Sequence, residues 1–152
     1  ELVQNALLNV TWPGRMERVA KGIIIDGAHN EPGIIEFIKT VNSYKCKGNK
    51  YLLFSAVNDK DISSIIRSIA KGTDFKKIYI TQIAGSRCLA ANVIADEFKR
   101  YVDIPVEVYE DNLMAFAVAS REKNEEDVLF CAGSLYLAGN ILRIVRKMEE
   151  VR

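Results

Sequence analysis

Gly22-Ile23-Ile24-Ile25-Asp26-Gly27-Ala28-His29-Asn30, with Trp12-Pro13-Gly14-Arg15 a few residues ahead of it, decides how the rest of this chain is read. Three β-branched residues form a strand, Asp26 ends it, and Gly27 lets the backbone turn. The only histidine of the sequence then stands where a helix is about to begin. Strand, loop and helix in that order place Asp26 and His29 at the carboxyl end of a strand. In an open α/β sheet that is where ligands bind, and a helix N-terminus there offers free N–H groups to an anion.

Upstream, Met16 to Val19 and Ile23 to Asp26 flank Ala20-Lys21-Gly22, a connection short enough for a hairpin whose first strand runs antiparallel to the rest. Downstream the period changes. Ile34, Ile35, Phe37, Ile38 and Val41 recur at helical spacing, with Pro32 and Gly33 in the first turn, where proline is tolerated. Tyr51 to Phe54 is a continuous apolar run, as in a strand covered on both faces, and Asp59 or Asp61 starts a helix with Ile62, Ile65, Ile66 and Ile69 inward. The unit recurs as Lys77 to Thr81 with a helix near Leu89 to Tyr101, and as Val106 to Tyr109 with a helix over Asn112 to Arg121. It closes with Val128 to Cys131, Gly133-Ser134, and a helix that buries Leu137, Ile141, Leu142, Val145 and Met148. Strands alternating with helices predict a mostly parallel sheet with helices on both faces.

The 152 residues, 49% hydrophobic and 27% charged, suffice for one globular domain with one core. Lys and Arg number 21 against 20 Asp and Glu, a net charge of +1, so no bulk field favours nucleic acid or an anionic membrane surface. Any anion site must be local. Cys46, Cys88 and Cys131 are odd in number and lack metal-ligand spacing, which points to a reducing, cytoplasmic setting with no zinc site. No apolar run approaches the length of a membrane span. The chain starts at Glu1 without a methionine, as a piece of a longer protein would.

Four residues are candidates for chemistry, each with an ordinary structural explanation beside it. Asp26 either serves the site or caps its own turn, as Asp commonly does. His29, near a helix N-terminus that favours the neutral imidazole, suits a hydrogen bond to a phosphate or carboxylate, or is a surface capping residue. Arg15, after a rigid Pro-Gly turn, suits bidentate contact with phosphate or carboxylate, or is a solvated charge. Ser134 is foremost an N-cap, a role compatible with ligand contact. Gly85-Ser86-Arg87 reaches the same end of the sheet, but a glycine-serine turn explains it. The sequence has no GxxxxGK[ST] and no GxGxxG, hence no phosphate-cradling loop of its own, and no nucleophile paired with the histidine.

Taken together, Trp12-Pro13-Gly14-Arg15-Met16-Glu17, Asp26-Gly27-Ala28-His29-Asn30, Asp59-Lys60-Asp61, Thr81 with Ser86-Arg87, and Gly133-Ser134-Leu135-Tyr136-Leu137 resemble the folylpolyglutamate synthase and dihydrofolate synthase family, a branch of the Mur ligase superfamily. The match runs across essentially the whole chain, and its specific part is the pair WPGR and DGAHN. The resemblance implies an α/β, Rossmann-like three-layer domain with a mostly parallel six-stranded sheet, one strand antiparallel. Residues 1–152 would be a single C-terminal domain, without the family's N-terminal P-loop ATPase domain. It implies an enzyme that phosphorylates a carboxylate of dihydropteroate or a folate with ATP and Mg2+, after which the amine of L-glutamate displaces phosphate. By the same implication Arg15 and Asp26 contact ATP from across the domain interface. His29 and Ser134 lie near the glutamate or the transferring phosphate, and this domain holds no metal. The family often has proline directly after the asparagine, where this chain has Glu31.

The expectation is therefore a monomeric fragment, inactive alone, that completes a ligase site and has its own ATPase domain and small substrates as partners. A self-contained ligand- or nucleotide-binding module of doubly wound type is the alternative, and an interaction domain in which Asp26, His29 and Arg15 are surface accidents is a third.

Overall fold

A computed structural model describes residues 16–59, 61–85 and 87–152. Residues 1–15, with Trp12-Pro13-Gly14 and Arg15, as well as Lys60 and Ser86, lie outside the described residues. The hairpin ahead of Asp26 is present: β1 (Glu17–Ala20) and β2 (Ile23–Ile25) run antiparallel, and the turn between them needs Gly22 at φ +71°. There follow α1 (Glu31–Ser43), β3 (Lys50–Phe54), α2 (Ile62–Gly72), β4 (Lys77–Ile80) and α3 (Ala91–Lys99). The chain continues through β5 (Val106–Val108), α4 (Asn112–Glu122), β6 (Val128–Ala132) and α5 (Leu135–Glu150). The six strands form one sheet in the order β1-β2-β6-β3-β4-β5, parallel throughout except for β1. The sheet is mostly parallel, as the alternating units predict, and six-stranded and Rossmann-like with one antiparallel strand, as the resemblance implies.

The last strand enters the middle of the sheet. β6 pairs with β2 on one side and β3 on the other, and all five of its residues are buried, which is why Val128 to Ala132 reads as an unbroken apolar run. Side chains alternate between two cores. Ile24, Leu52, Phe54, Ile78, Ile80, Val128 and Phe130 pack against α1, α2 and α3. Ile25, Leu53, Tyr79, Leu129 and Cys131 pack against α4 and α5. Phe130 anchors the first core, edge-to-face with Phe37, Tyr44 and Phe75 at centroid distances of 6.1, 5.6 and 6.2 Å.

Several sequence expectations need correction. Ile35 is 43% exposed and Ile38 only half-buried, because α1 buries the narrower stripe of Ile34, Phe37 and Val41. Met148 is 56% exposed, since the buried face of α5 ends at Val145. The helix expected near Leu89 begins at Ala91: Leu89 donates to the Ala56 carbonyl, and Gln82 Oε1 accepts from the Ala91 N–H at 3.0 Å. Glu31 does not disturb the start of α1; Asn30 caps it, accepting from the Gly33 N–H at 2.9 Å, and Pro32 sits in the first turn.

Candidate functional site

β2 leads into α1 on one face of the sheet, and its neighbour β6 leads into α5 on the other. Chains that leave adjacent strands in opposite directions open a crevice at the strands' carboxyl ends, the place where open α/β sheets bind ligands. The candidate residues come from these two turns.

On the β2 side, the Asp26 N–H donates to the Cys131 carbonyl at 2.8 Å, carrying the β2–β6 ladder one residue beyond the strand. Asp26 is buried, and its Oδ1 accepts from the Ala28 N–H at 2.7 Å, closing an Asx-type turn. The structural explanation for Asp26 is thus realised, and the carboxylate is fixed at the strand end rather than projecting freely. His29 is exposed, with Nδ1 2.8 Å from the Gly27 carbonyl. A carbonyl accepts only, so Nδ1 carries the proton in this contact, and Nε2 is left as the ring atom for a ligand.

On the β6 side, Gly133 sits at φ +104° and donates its N–H to the Ala28 carbonyl at 3.0 Å. That bond ties the two turns together. A Cβ at Gly133 would collide with the Ser55 carbonyl oxygen and come within 2.5 Å of the Phe54 ring, so only glycine allows β3 and the β6–α5 turn to nest. Ser134, buried, caps α5 by accepting from the Tyr136 and Leu137 N–H groups at 3.1 and 3.4 Å. Both bonds use oxygen lone pairs, so the hydroxyl proton is still available for donation.

The structure therefore brings Asp26, His29 and Ser134 to one crevice, while Arg15 lies outside the described residues. Met16, directly after Arg15, has φ +44°, an uncommon conformation for a residue with a side chain, and packs against the α1–α3 core. Among the described residues no group of three or more His, Cys, Asp and Glu gathers in a way that would hold a metal ion.

A second set of residues lies at the same end of the sheet; the sequence marked Thr81 only as part of the resemblance and gave no sign of its partners. Thr81, fully buried after β4, donates to the Glu110 carbonyl at 3.2 Å and accepts from Asn112 Nδ2 at 2.9 Å. Asn112 Nδ2 also reaches the Gln82 carbonyl at 2.6 Å, and its Oδ1 accepts from Asn140 Nδ2 at 2.8 Å. Arg143 donates to Asn140 Oδ1. This polar staple joins β4, α4 and α5 across sequence separations of 31 and 28 residues, which no local motif announces. Ser55, at the end of β3, is buried with its hydroxyl unpartnered. Arg87 is exposed, and its carbonyl accepts from the Asn58 N–H at 2.7 Å; with the Val57–Cys88 bridge this explains the loop after β4 structurally.

The strongest charge cluster lies elsewhere. At the amino end of β4, Lys77 Nζ is 2.7 Å from Glu107 and 2.8 Å from Glu122. The Tyr79 hydroxyl also donates to Glu122, and the Tyr109 hydroxyl to Glu107. Burial pulls the Lys77 ammonium down, but the two carboxylates hold it above its ordinary value. The hydrogen bond from Lys77, then that from Tyr79, holds Glu122 below the usual carboxylate range. Burial first, then Glu122, pushes Tyr79 up. A strand length separates this network from the crevice.

Comparison with known proteins gives a consistent picture. The profile of the "Mur ligase, glutamate ligase domain" family matches residues 14–135. The chain is 29% identical over 155 residues to a probable dihydrofolate synthetase of Schizosaccharomyces pombe, covering 95% of this chain and 37% of that relative. It is 26% identical over 147 residues to the dihydrofolate synthase/folylpolyglutamate synthase of Bacillus subtilis, covering 93% of this chain and 32% of the relative. The chain thus spans about a third of the length of the curated relatives it matches. Its fold is shared with E. coli FolC in complex with DHPP and ADP, at a TM-score of 0.84 and 17% identity, over 97% of this chain and 34% of that one.

Proposed function

The chain belongs to the Mur ligase glutamate ligase domain family, and from that premise we propose that it is the C-terminal domain of an ATP-dependent ligase that joins L-glutamate to a folate or dihydropteroate. In the proposed reaction the carboxylate of the pteroyl substrate attacks the γ-phosphorus of ATP, releasing ADP and forming an acyl phosphate. The glutamate amine then attacks the acyl carbon, loses a proton and expels phosphate, leaving an amide. ATP and Mg2+ would be held mainly by a P-loop in an N-terminal ATPase domain, since this sequence has no such loop. The relatives' names and the ADP and DHPP of the E. coli neighbour support this substrate class. Residues 1–152 are read as one domain of a monomeric, cytoplasmic enzyme without nucleic-acid partners, the ATPase domain being the principal one.

The observation that carries the reading is the bond from the Gly133 N–H to the Ala28 carbonyl, which puts the His29 turn and the capped N-terminus of α5 at one crevice. Ser134, with its spare hydroxyl proton at the capped N-terminus of α5, suits a carboxylate of glutamate. His29 offers Nε2 to the glutamate or to the transferring group. Asp26 shapes the turn beside the nucleotide, and Arg15, on the approach to β1, would be delivered to the ATP phosphates by domain closure. Phosphoryl transfer is catalysed largely by position and by placed charge, so an arginine in that role needs no nucleophile beside it.

Steady-state kinetics on the full-length enzyme test these roles. Arg15→Ala should lower kcat and kcat/KM together by roughly a thousandfold or more, as for an arginine that stabilises transition-state charge, and lysine should rescue little. His29→Ala and Ser134→Ala should chiefly raise the apparent KM for glutamate. Normal turnover in Arg15→Ala would reject the phosphate role, and a selective ATP defect in His29→Ala would move that residue to the nucleotide side.

A further inference from the structure

The amino ends of β2, β3 and β6 lie a strand length away from the crevice, and a cavity of about 350 Å3 opens there. It is bounded by the β1–β2 turn, the loop between α1 and β3, and the loop between α4 and β6. Four cations line it: Arg18 from β1, Lys21 from the turn, and Lys45 and Lys47 from the α1–β3 loop. Three carboxylates share the lining, but two of them are engaged. Asp127 is buried and accepts from backbone donors, at Oδ1 from the Asn49 N–H at 2.7 Å and at Oδ2 from the Asn124 N–H at 2.9 Å. Glu125 approaches Lys21 at 3.9 Å. Arg18, Lys45 and Lys47 are left without an ion pair among the described residues, and only the carboxylate of Glu126 stands against them.

The backbone that carries these cations is fixed. Gly48 donates its N–H to the Glu126 carbonyl at 3.0 Å, Val128 to the Asn49 carbonyl at 3.0 Å, and Leu129 to the Gly22 carbonyl at 2.8 Å, so the three bounding segments are tied to one another. The α1–β3 loop sits so close that a Cβ at Gly48 would lie 2.3 Å from Asp127 Oδ1. Like charges held around one hollow repel one another, and a multiply charged anion placed among them turns that repulsion into attraction. We propose that this cavity is a second binding site, apart from the crevice, for a phosphate-type polyanion: free pyrophosphate or the diphosphate end of a nucleotide. Arg18 supplies a planar fork for two oxygens, and Lys45 and Lys47 supply point charges from a separate loop. Because the backbone is already in place, binding orders little beyond three long side chains. A nucleotide differs from the free anion in carrying a flat base, for which Tyr44 and Val128 are the apolar part of the lining. The site owes nothing to the ligase reading, which concerns the other end of the sheet.

An NMR titration of the 152-residue chain with pyrophosphate reads the site directly, since this sequence has no P-loop to take up the same anion. Amide signals of residues 21–22, 45–48 and 124–128 should shift saturably, while those of 26–29 and 133–137 stay in place. Raising the ionic strength should weaken the binding. Replacing Lys45 and Lys47 together by alanine, or Arg18 alone, should weaken it by about tenfold or more, and Arg18→Lys should recover only part of the loss. Glu126→Gln should tighten it by roughly threefold, because the one free carboxylate facing the anion is then gone. All four side chains are exposed, so these variants should melt as the wild type does. ADP in place of pyrophosphate separates the two sources: tighter binding identifies a nucleotide, equal binding the free anion. The absence of any saturable shift, shifts confined to residues 26–29 and 133–137, or wild-type affinity in both the lysine and the Arg18→Ala variants would overturn the proposal.

Discussion

Gly133 is the residue on which the two halves of the crevice depend, and replacing it with alanine separates two physical effects. Its φ of +104° disfavours any side chain, and a Cβ there would also press on the Phe54 ring from 2.5 Å and on the Ser55 carbonyl from closer still. The backbone effect is on the order of 1–2 kcal/mol, and overpacking against a buried strand adds about 1–3 kcal/mol. The combined loss, roughly 2–5 kcal/mol, should lower Tm by roughly 4–20 °C in a domain of this size. Two other glycines supply the controls. Gly85 has φ +124° but nothing within 4 Å of its Cβ position, so Gly85→Ala carries the backbone effect alone, about 1–2 kcal/mol. Gly139, inside α5 and also in open space, should stabilise the fold by about 0.5–1 kcal/mol when changed to alanine. Urea or thermal melts of the three variants should rank Gly133→Ala below Gly85→Ala, with Gly139→Ala above the wild type. If Gly133→Ala loses no more than Gly85→Ala, the nesting of the β6–α5 turn on Ser55 and Phe54 is not a constraint, and the reasoning fails.

Asn112→Leu removes the centre of the staple and leaves Thr81 and Asn140 short of partners in a partly buried place; urea melts should show a loss of about 1–3 kcal/mol, which Asn112→Asp should not repair because the carboxylate cannot donate to Thr81 or Gln82. The Lys77–Glu107–Glu122 cluster gives stability a pH dependence with two signs. Glu122 is held below the ordinary carboxylate value of 4.5, so its contribution is present above that pH and is lost as pH falls through the lower folded value. Lys77 is held above 10.5, so its contribution is present below that pH and is lost as pH rises through the higher folded value. Melts across pH should show Glu122→Gln flattening the acid limb; an unchanged acid limb would remove Glu122 from the account.

Much of the fold was legible because burial is written in the period of the sequence. Val128 to Cys131 reads as a buried strand, and β6 is indeed one of the two central strands. What periodicity cannot give is strand order: nothing local in Val128 to Ala132 says that it enters between β2 and β3, 78 residues or more from either partner in the register. The same limit applied at the site. Asp26, His29, Asn30 and Ser134 were visible because each sits at a strand end or helix start with a residue type that caps or turns. Thr81 was marked only as part of the resemblance, without its partners, and Asn112 and Asn140 had no site reading, because an asparagine that bridges two helices looks like any other surface amide until the helices are placed. Ile35 and Met148 were misplaced for the converse reason, since helical spacing marks a stripe but does not say how wide the covering sheet is or where it ends.

The local bonds at the crevice also bear on why such a domain would act only with a partner. Asp26 is engaged by Ala28, His29 Nδ1 by Gly27, and the lone pairs of Ser134 by the start of α5. Each side chain is held by its own turn before any ligand arrives, so the domain presents groups that need no reorganisation when a reacting centre is delivered. On the proposed function this matters because an acyl phosphate exposed to water would be hydrolysed instead of aminated. Splitting the machinery, with the phosphate loop on one domain and these turns on the other, means that the site is complete only when closure has also excluded water. A preformed but open half-site is the arrangement that such gating requires.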